Sequence, residues 1–381
     1  MLSHLKCLAL TAALGLALGC GSSSTSGSTA AMNVHVTDGP ISGYQEINVH
    51  IQSVEIKGDG GWITLGTPDV TLNLLTLTGG VSQTLAAGAT LPAGHYGQMR
   101  LILGAGNTVK LADGSVHDLT VPSGLQTGLK LTVSFDVAAG TTKDVWIDFD
   151  AAHSIQVVAT GASSKFMLRP TLRACDKVAT GAISGTFTDA ASSAPLAGAM
   201  VFAETLDGTG APHLVRSTVT DAAGHYLLDL LPVGASYHVV SLPRVGAPAV
   251  TAYGAQASDA LAVTAGTPVL TFNATFTAAV AVGGVGGDVT PVATADQHDT
   301  VDLQQALMAD GASHTFIVDT VMATVGTSTE TYAFANLPVG TYAVQGRRST
   351  LNADGSVTVT TPAPLPAAVT AGLTLSLAVT F

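Results

Sequence analysis

Leu129-Lys130-Leu131-Thr132-Val133-Ser134-Phe135-Asp136-Val137 alternates apolar and polar side chains without a break. Successive side chains of a strand point to opposite faces, so period two over this length predicts a half-buried β-strand. The same alternation puts Val145, Ile147 and Phe149 on one face of residues 144–150, and Met99, Leu101 and Leu103 on one face of the strand after Gly97. Through Ile47, Val49, Ile51, Val54 and Ile56 the phase slips once, at Gln52-Ser53, which predicts a β-bulge. Helical spacing is found at Val301 to Ala309, where Thr300 or Asp299 is placed to cap a first turn and Leu303, Ala306 and Leu307 share a face. One short helix is expected there, in an otherwise all-β chain.

Composition points the same way. Charged residues make up 10% of the 381, hydrophobic residues 47%, and 42 are glycine. Few charges with many Val, Thr and Leu suit sheets whose outer faces carry Thr and Ser, not solvated helices. A formal charge of −12 and the lack of a basic cluster exclude nucleic acid as a partner, because phosphate neutralisation needs Lys and Arg.

The string Leu-Pro-[Ala/Val]-Gly followed closely by Tyr occurs at Leu91 to Tyr96, Leu231 to Tyr237 and Leu337 to Tyr342. Pro fixes φ and Gly admits φ > 0, so each copy predicts a tight turn feeding a strand. The second and third copies lie 106 residues apart, which implies two sibling modules of that size behind a larger first domain. Boundaries are expected at Ala174 to Gly181 and at Thr277 to Gly287. The run Gly283-Gly284-Val285-Gly286-Gly287 lacks the Lys-Ser/Thr ending of a phosphate loop and reads as linker. The expected architecture is three tandem β-sandwiches, Ig-like or transthyretin-like, over 31–176, 180–278 and 280–381, with the short helix in the third.

Residues 1–19 carry a basic start at Lys6, an apolar run from Cys7 to Leu18 and small residues before Cys20. That layout is a secretory signal, and the run is shorter than the roughly 20 residues a transmembrane helix needs. Ala17-Leu18-Gly19-Cys20 resembles a bacterial lipobox, with Ala17 where Leu is usual and Leu16 one place earlier. The resemblance implies cleavage before Cys20, acylation of its thiol and anchoring in a membrane. Removal of Lys6 takes the formal charge to −13. Several acyl chains, each buried CH₂ worth about 0.8 kcal/mol, hold where one chain is marginal. Residues 20–30 form a Gly/Ser-rich tether, and Gly21 after the Cys, by resemblance to sorted lipoproteins, implies the outer membrane, on its periplasmic or surface side. With Cys7 removed and Cys20 lipidated, Cys175 has no disulfide partner; it is a reactive thiol or a buried bystander.

Residues 183–240 resemble the carboxypeptidase-regulatory-like module, a transthyretin-like sandwich. The carrying residues are Ile183 to Asp189, Pro195 to Val201, Thr220-Asp221-Ala222-Ala223-Gly224-His225-Tyr226 and Leu231 to Gly234. The third module keeps Thr331 to Phe334 and Leu337 to Tyr342 but lacks the Asp-x-x-Gly turn. Residues 31–173 resemble an uncharacterised N-terminal domain of bacterial lipoproteins, through Val36-Thr37-Asp38-Gly39-Pro40, Val49 to Ile56, Asn73-Leu74-Leu75, Leu91 to Leu103, Asp148-Phe149-Asp150-Ala151 and Leu168-Arg169-Pro170. Neither resemblance implies an activity.

Gly-x-Ser-x-Gly, His-Glu-x-x-His and Cys-x-x-Cys are all missing from the sequence. The strongest candidate site is acidic: Asp144, Asp148 and Asp150 share one face of a strand, with Asp136 on a possible neighbour and His153 beyond. Such an oxygen cluster suits Ca²⁺ with its 6 to 8 ligands, or else is a solvated outer face. No other cofactor is implied. His35 and His50 are expected on polar strand faces, and Asp38 at a turn. Trp62, Trp146, Tyr44 and Tyr96 form either a sugar platform or core packing. The function expected is a non-enzymatic envelope lipoprotein with a structural, adhesive or partner-binding role toward a protein or glycan. The alternatives are a Ca²⁺- or carbohydrate-binding module and an envelope hydrolase with an unfamiliar site.

Overall fold

The computed structural model describes residues 28–39, 44–111, 113–121, 128–150, 155–160, 163–168, 171–176, 179–246, 249–265, 269–294, 297–325, 329–351 and 357–381. The expected signal and Cys20 lie outside them. Among the described residues every regular element is a strand except one 3₁₀ turn, Leu74–Thr76. The chain is all-β.

In the first domain β1 (Thr29–Asp38), β2 (Tyr44–Gly58), β3 (Gln83–Pro92), β4 (Gly94–Leu103), β5 (Leu129–Val137), β6 (Thr142–Asp150) and β7 (Thr171–Asp176) build two facing sheets. One runs β7-β6-β1-β3, with β1 parallel to β6 and antiparallel to β3. The other runs Ile155–Thr160, Ser163–Leu168, Val116–Thr120, Thr108–Leu111, β2, β4, β5. Alternate residues close the core between them: Val34 and Ile147 from the first sheet, Ile51 and Leu101 from the second, all buried. Each such side chain contributes about 1.5–3 kcal/mol by leaving water. The bulge falls at Gln52, where the register against β4 shifts between Ile51 and Ser53, leaving Gln52 in solvent and restoring the phase for Val54 and Ile56.

The second module comprises β8 (Thr180–Asp189), β9 (Met200–Leu206), β10 (Pro212–Val219), β11 (His225–Pro232) and β12 (Ala235–Ser241). One sheet pairs β11 with β8, which also takes Leu270–Thr271 and Ala274–Phe276 in parallel; the other runs β10-β9-β12. The third module comprises β13 (Val282–Thr290), β14 (Gln297–Ala309), β15 (Ala312–Met322), β16 (Glu330–Pro338) and β17 (Gly340–Leu351). It repeats that order strand for strand: β16-β13 with Thr374–Ser376 and Val379–Thr380 in parallel on β13, and β15-β14-β17.

Close approaches repeat too. A Cβ on Gly185 would stand 1.8 Å from the Phe272 carbonyl oxygen, and one on Gly287 1.9 Å from that of Leu377. Only glycine lets the crossing strand in. The hydroxyl of the tyrosine paired with each glycine donates to that same carbonyl, Tyr226 to Phe272 at 2.7 Å and Tyr332 to Leu377 at 2.9 Å. The bulge before the repeated Leu-Pro also recurs, with Leu230 and Asn336 at φ 58° and 55°.

The Leu-Pro-x-Gly string and the Tyr that closely follows it acquire a physical reason. Tyr96, Tyr237 and Tyr342 fold back to donate their hydroxyls to Pro92, Pro232 and Pro338, at 2.7, 2.7 and 3.0 Å. Each phenol is buried and needs a partner, and each turn carbonyl gains one.

Two expectations are overturned. Residues 301–309 are not a helix: they lie in β14, where Val301 and Leu303 point into the module's own core while Asp302 and Gln304 point outward and are buried too. Burial on both faces hides the period of two. Gly283 to Gly287 is not a linker but the centre of β13, glycine-rich because Gly283 and Gly287 face neighbouring backbone within 2.2 Å of where a Cβ would sit.

Candidate functional site

Asp144 and Asp148 do share the outward face of β6, and each is already engaged. Asn33 Nδ2 donates to Asp144 Oδ1 at 2.7 Å. Asp148 Oδ2 lies 2.5 Å from Arg216 Nη1, carried by β10 of the second module, and both side chains are largely buried. Asp150 lies in β6, its side chain outside the described atoms, as is His153. Asp136 is not on a neighbouring strand of that face: it sits on β5 in the other sheet, 3.0 Å from His95 Nδ1. Among the described residues no group of three His, Cys, Asp or Glu side chains is placed to hold a metal ion.

The other sequence candidates are dispersed. His35 stacks on Trp146 at 4.3 Å, and His50 is held between the Ala105 carbonyl and Asp69, each at 3.0 Å. Trp62, on a strand of the opposite sheet, lies under the Arg100 guanidinium at 4.1 Å, and Arg100 pairs with Glu55. Tyr44 packs against the core, and burial pushes its hydroxyl up to about 12. Asp38 is buried at the end of β1. Cys175 is half-buried on β7 opposite Trp146, without a disulfide. A Ser–His contact exists at His117 and Ser115, 3.1 Å apart, but the Ser115 hydroxyl donates to Asp113 at 2.6 Å. Its proton points away from the imidazole, the reverse of an activated nucleophile.

What the structure gathers instead is charge at the junctions between sandwiches. The first is the Asp148–Arg216 pair, flanked by Gly39 against Ser217 and Gly80 against Leu227. The second is larger. The outward face of β9 and β12 packs on the β14–β15 sheet of the third module, so Phe202, Val240 and Leu242 join Val318, Phe316 and Leu303 in one apolar cluster. Glu204 stands in that face, with no exposed surface, and accepts the Ile317 N–H at 3.0 Å. Burial, reinforced by nearby Asp302, holds its carboxyl well above the usual range. Asp302 accepts from Thr320 Oγ1 at 2.8 Å and Arg347 at 3.1 Å. Arg244 crosses from the second module to Asp319 and to the Ala335 carbonyl; burial nevertheless raises Asp319 above an ordinary carboxylate.

At the rim, the Asp310–Gly311 hairpin tip is clasped by the second module. Ala260 N–H donates to Asp310 Oδ1 at 2.9 Å, Asp310 N–H donates to Asp259 at 2.6 Å, and His238 Nε2 faces Asp310 Oδ2 at 3.6 Å. Inside the third module Arg348 bridges to Asp299, at 2.7 and 2.5 Å, beside Glu330, whose carboxyl burial raises to about 7. Paired buried charges of this kind fix which surfaces meet more than they add net stability. Sequence reasoning missed Glu204, Arg244 and Arg347, because the partners Ile317, Asp319 and Asp302 lie 45 or more positions away.

Fold and junctions together define a multi-domain all-β protein in which a few charged side chains bridge neighbouring sandwiches. Residues 29–170 match the family described as a domain of unknown function, DUF4382. No curated protein matches the chain. Among solved structures it is similar to the Bacillus anthracis TIE protein at 11% identity, covering 92% of this chain and 50% of that one with a TM-score of 0.21; this chain thus spans half that protein's length. It is also similar to a streptococcal ancillary pilin at 10% identity, covering 92% and 98% with a TM-score of 0.21, and to BcpA, the major pilin subunit of Bacillus cereus, at 9% identity, covering 92% and 99% with a TM-score of 0.18. Scores this low superpose no common arrangement of domains.

Proposed function

We propose that the chain is a non-enzymatic envelope lipoprotein, anchored through Cys20 in the outer membrane, whose sandwiches form one structural body presenting a binding face to a protein or glycan. The observation that carries this reading is the design of the junctions: Asp148–Arg216, Glu204–Ile317 and Arg244–Asp319 lock neighbouring sandwiches with buried polar contacts. Domains that work by catalysis need a cleft with convergent reactive groups, whereas fixed stacking suits a spacer or adhesin. The lipobox-like Ala17-Leu18-Gly19-Cys20 and the Gly/Ser tether support the anchor. For the second and third modules we propose membership of the carboxypeptidase-regulatory-like class, supported by the shared glycine–tyrosine–carbonyl contact and the shared bulge. Labelling cells with radioactive palmitate tests the anchor: wild type is expected to take up label and fractionate with outer membrane, and Cys20→Ala to do neither. Equal labelling of both would overturn it.

A further inference from the structure

At the second junction one carboxyl is buried in the face that the two sandwiches share. Glu204 offers Oε2 to the Ile317 N–H, while Oε1 is buried with no hydrogen-bond partner among the described residues. Neutral, the carboxyl fits. Ionised, it would be a dry charge compensated by a single amide and facing Asp302, whose own cation is Arg347. An unpaired buried charge costs several kcal/mol, so loss of this proton works against the closed junction. Asp319, by contrast, is compensated by Arg244 and by the Thr320 N–H.

His238 lies across the strand pair from Glu204 on the same face. Its Nδ1 is 3.0 Å from the Ser258 carbonyl, an acceptor only, so Nδ1 carries the hydrogen. In the neutral ring Nε2 then turns a lone pair toward the Asp310 carboxylate. The remaining charged groups nearby do not reverse the effect of Glu204: His314 has its ring centroid 6.3 Å from that of His238, Asp259 is held by the Asp310 N–H, and on β10 Arg216 and His213 pair with Asp148 and Asp207.

We propose that the junction between the second and third sandwiches is a pH-responsive joint, which acid tightens and base loosens. Protonated Glu204 keeps it closed. The joint sets how freely the third sandwich moves on the second.

Hydrogen exchange on the purified full chain, corrected for the intrinsic pH dependence of amide exchange, reads the joint directly. The Ile317 amide is expected to lose about tenfold or more in protection, the equivalent of one pKa unit, between about pH 5.5 and about pH 8.5, relative to the Val34 amide in β1. In Glu204→Gln, which keeps the acceptor for Ile317, the loss at Ile317 is expected to vanish. In Asp302→Asn, which removes the charge facing Glu204, the loss at Ile317 is expected to shrink, so either variant reports if the other fails to fold. Protection at Ile317 that follows Val34 at every pH, or a wild-type pH dependence retained in both variants, would overturn the proposal.

Discussion

Replacing Glu330 by Gln is expected to stabilise the protein at neutral pH and to leave it unchanged in mild acid. Glu330 is 1% exposed, accepts the Ala293 N–H at 3.0 Å and hydrogen-bonds Asp299. Burial, and next to it the charge of Asp299, raise its carboxyl from 4.5 to about 7, Arg348 offsetting part of the rise. A folded-state value above the unfolded one means that the contribution is intact below 4.5 and is lost as pH climbs to 7. At 1.36 kcal/mol per pKa unit, the shift amounts to about 3 kcal/mol withdrawn from stability once the group must ionise. Gln reproduces the neutral carboxyl, with an oxygen for Ala293 and an N–H for Asp299, and cannot ionise. Urea unfolding of both proteins at intervals from about pH 4.5 to about pH 8 gives the difference curve directly. The curve is expected to start near zero and climb to about 3 kcal/mol in favour of the variant. A difference that stays flat with pH, or a variant weaker than wild type above neutrality, refutes the reasoning.

Gly287→Ala and Gly185→Ala each drive a methyl onto a carbonyl oxygen less than 2 Å away and are expected to cost at least about 3 kcal/mol, visible as loss of the cooperative unfolding transition of their modules. Tyr237→Phe strips the hydroxyl from the Pro232 carbonyl and is expected to lower stability by about 1 kcal/mol in the same urea assay. Phe202→Ala removes a fully buried ring from the shared cluster; a loss of about 3–5 kcal/mol is expected, with calorimetry showing the second and third modules melting apart. A double-mutant cycle of Arg216→Met and Asp148→Asn is expected to show a coupling energy of about 1 kcal/mol or more, since the pair is largely buried and bridges two domains.

Much of the fold was legible in the residues. Alternation in β5 and β6 marks inward and outward faces because the pleat imposes it, and the slip at Gln52 is where the ladder shifts. The Leu-Pro-x-Gly string with its following Tyr was visible as a repeat, but its hydroxyl-to-carbonyl bond was not, since nothing in the string says where the phenol turns. The missed strand β14 is more instructive. Asp302 and Gln304 look like solvent positions, and only the second module packed on that face, with Arg347, Thr320 and Gln345 as hydrogen-bond partners, makes them interior. Gly283 to Gly287 misled for a related reason: glycine chosen for the approach of a distant backbone is indistinguishable, in one sequence, from glycine chosen for freedom. Asp144 and Asp148 lie on one side of β6, and the Arg216 that meets Asp148 comes from a strand 68 positions further on.

The position of β1 bears on how the molecule carries load. It starts at Thr29, directly after the Gly/Ser segment, and is an interior strand, hydrogen-bonded along one side to parallel β6 and along the other to antiparallel β3. Tension drawn through residue 28 away from Asp38 runs along the strand axis, at right angles to the antiparallel ladder bonds and across the slanted parallel ones. Those bonds are strained together instead of being peeled one after another, as they would be if the chain entered at a frayed edge. A pull applied through residue 28 would therefore meet the sheet in shear, the direction in which it yields last.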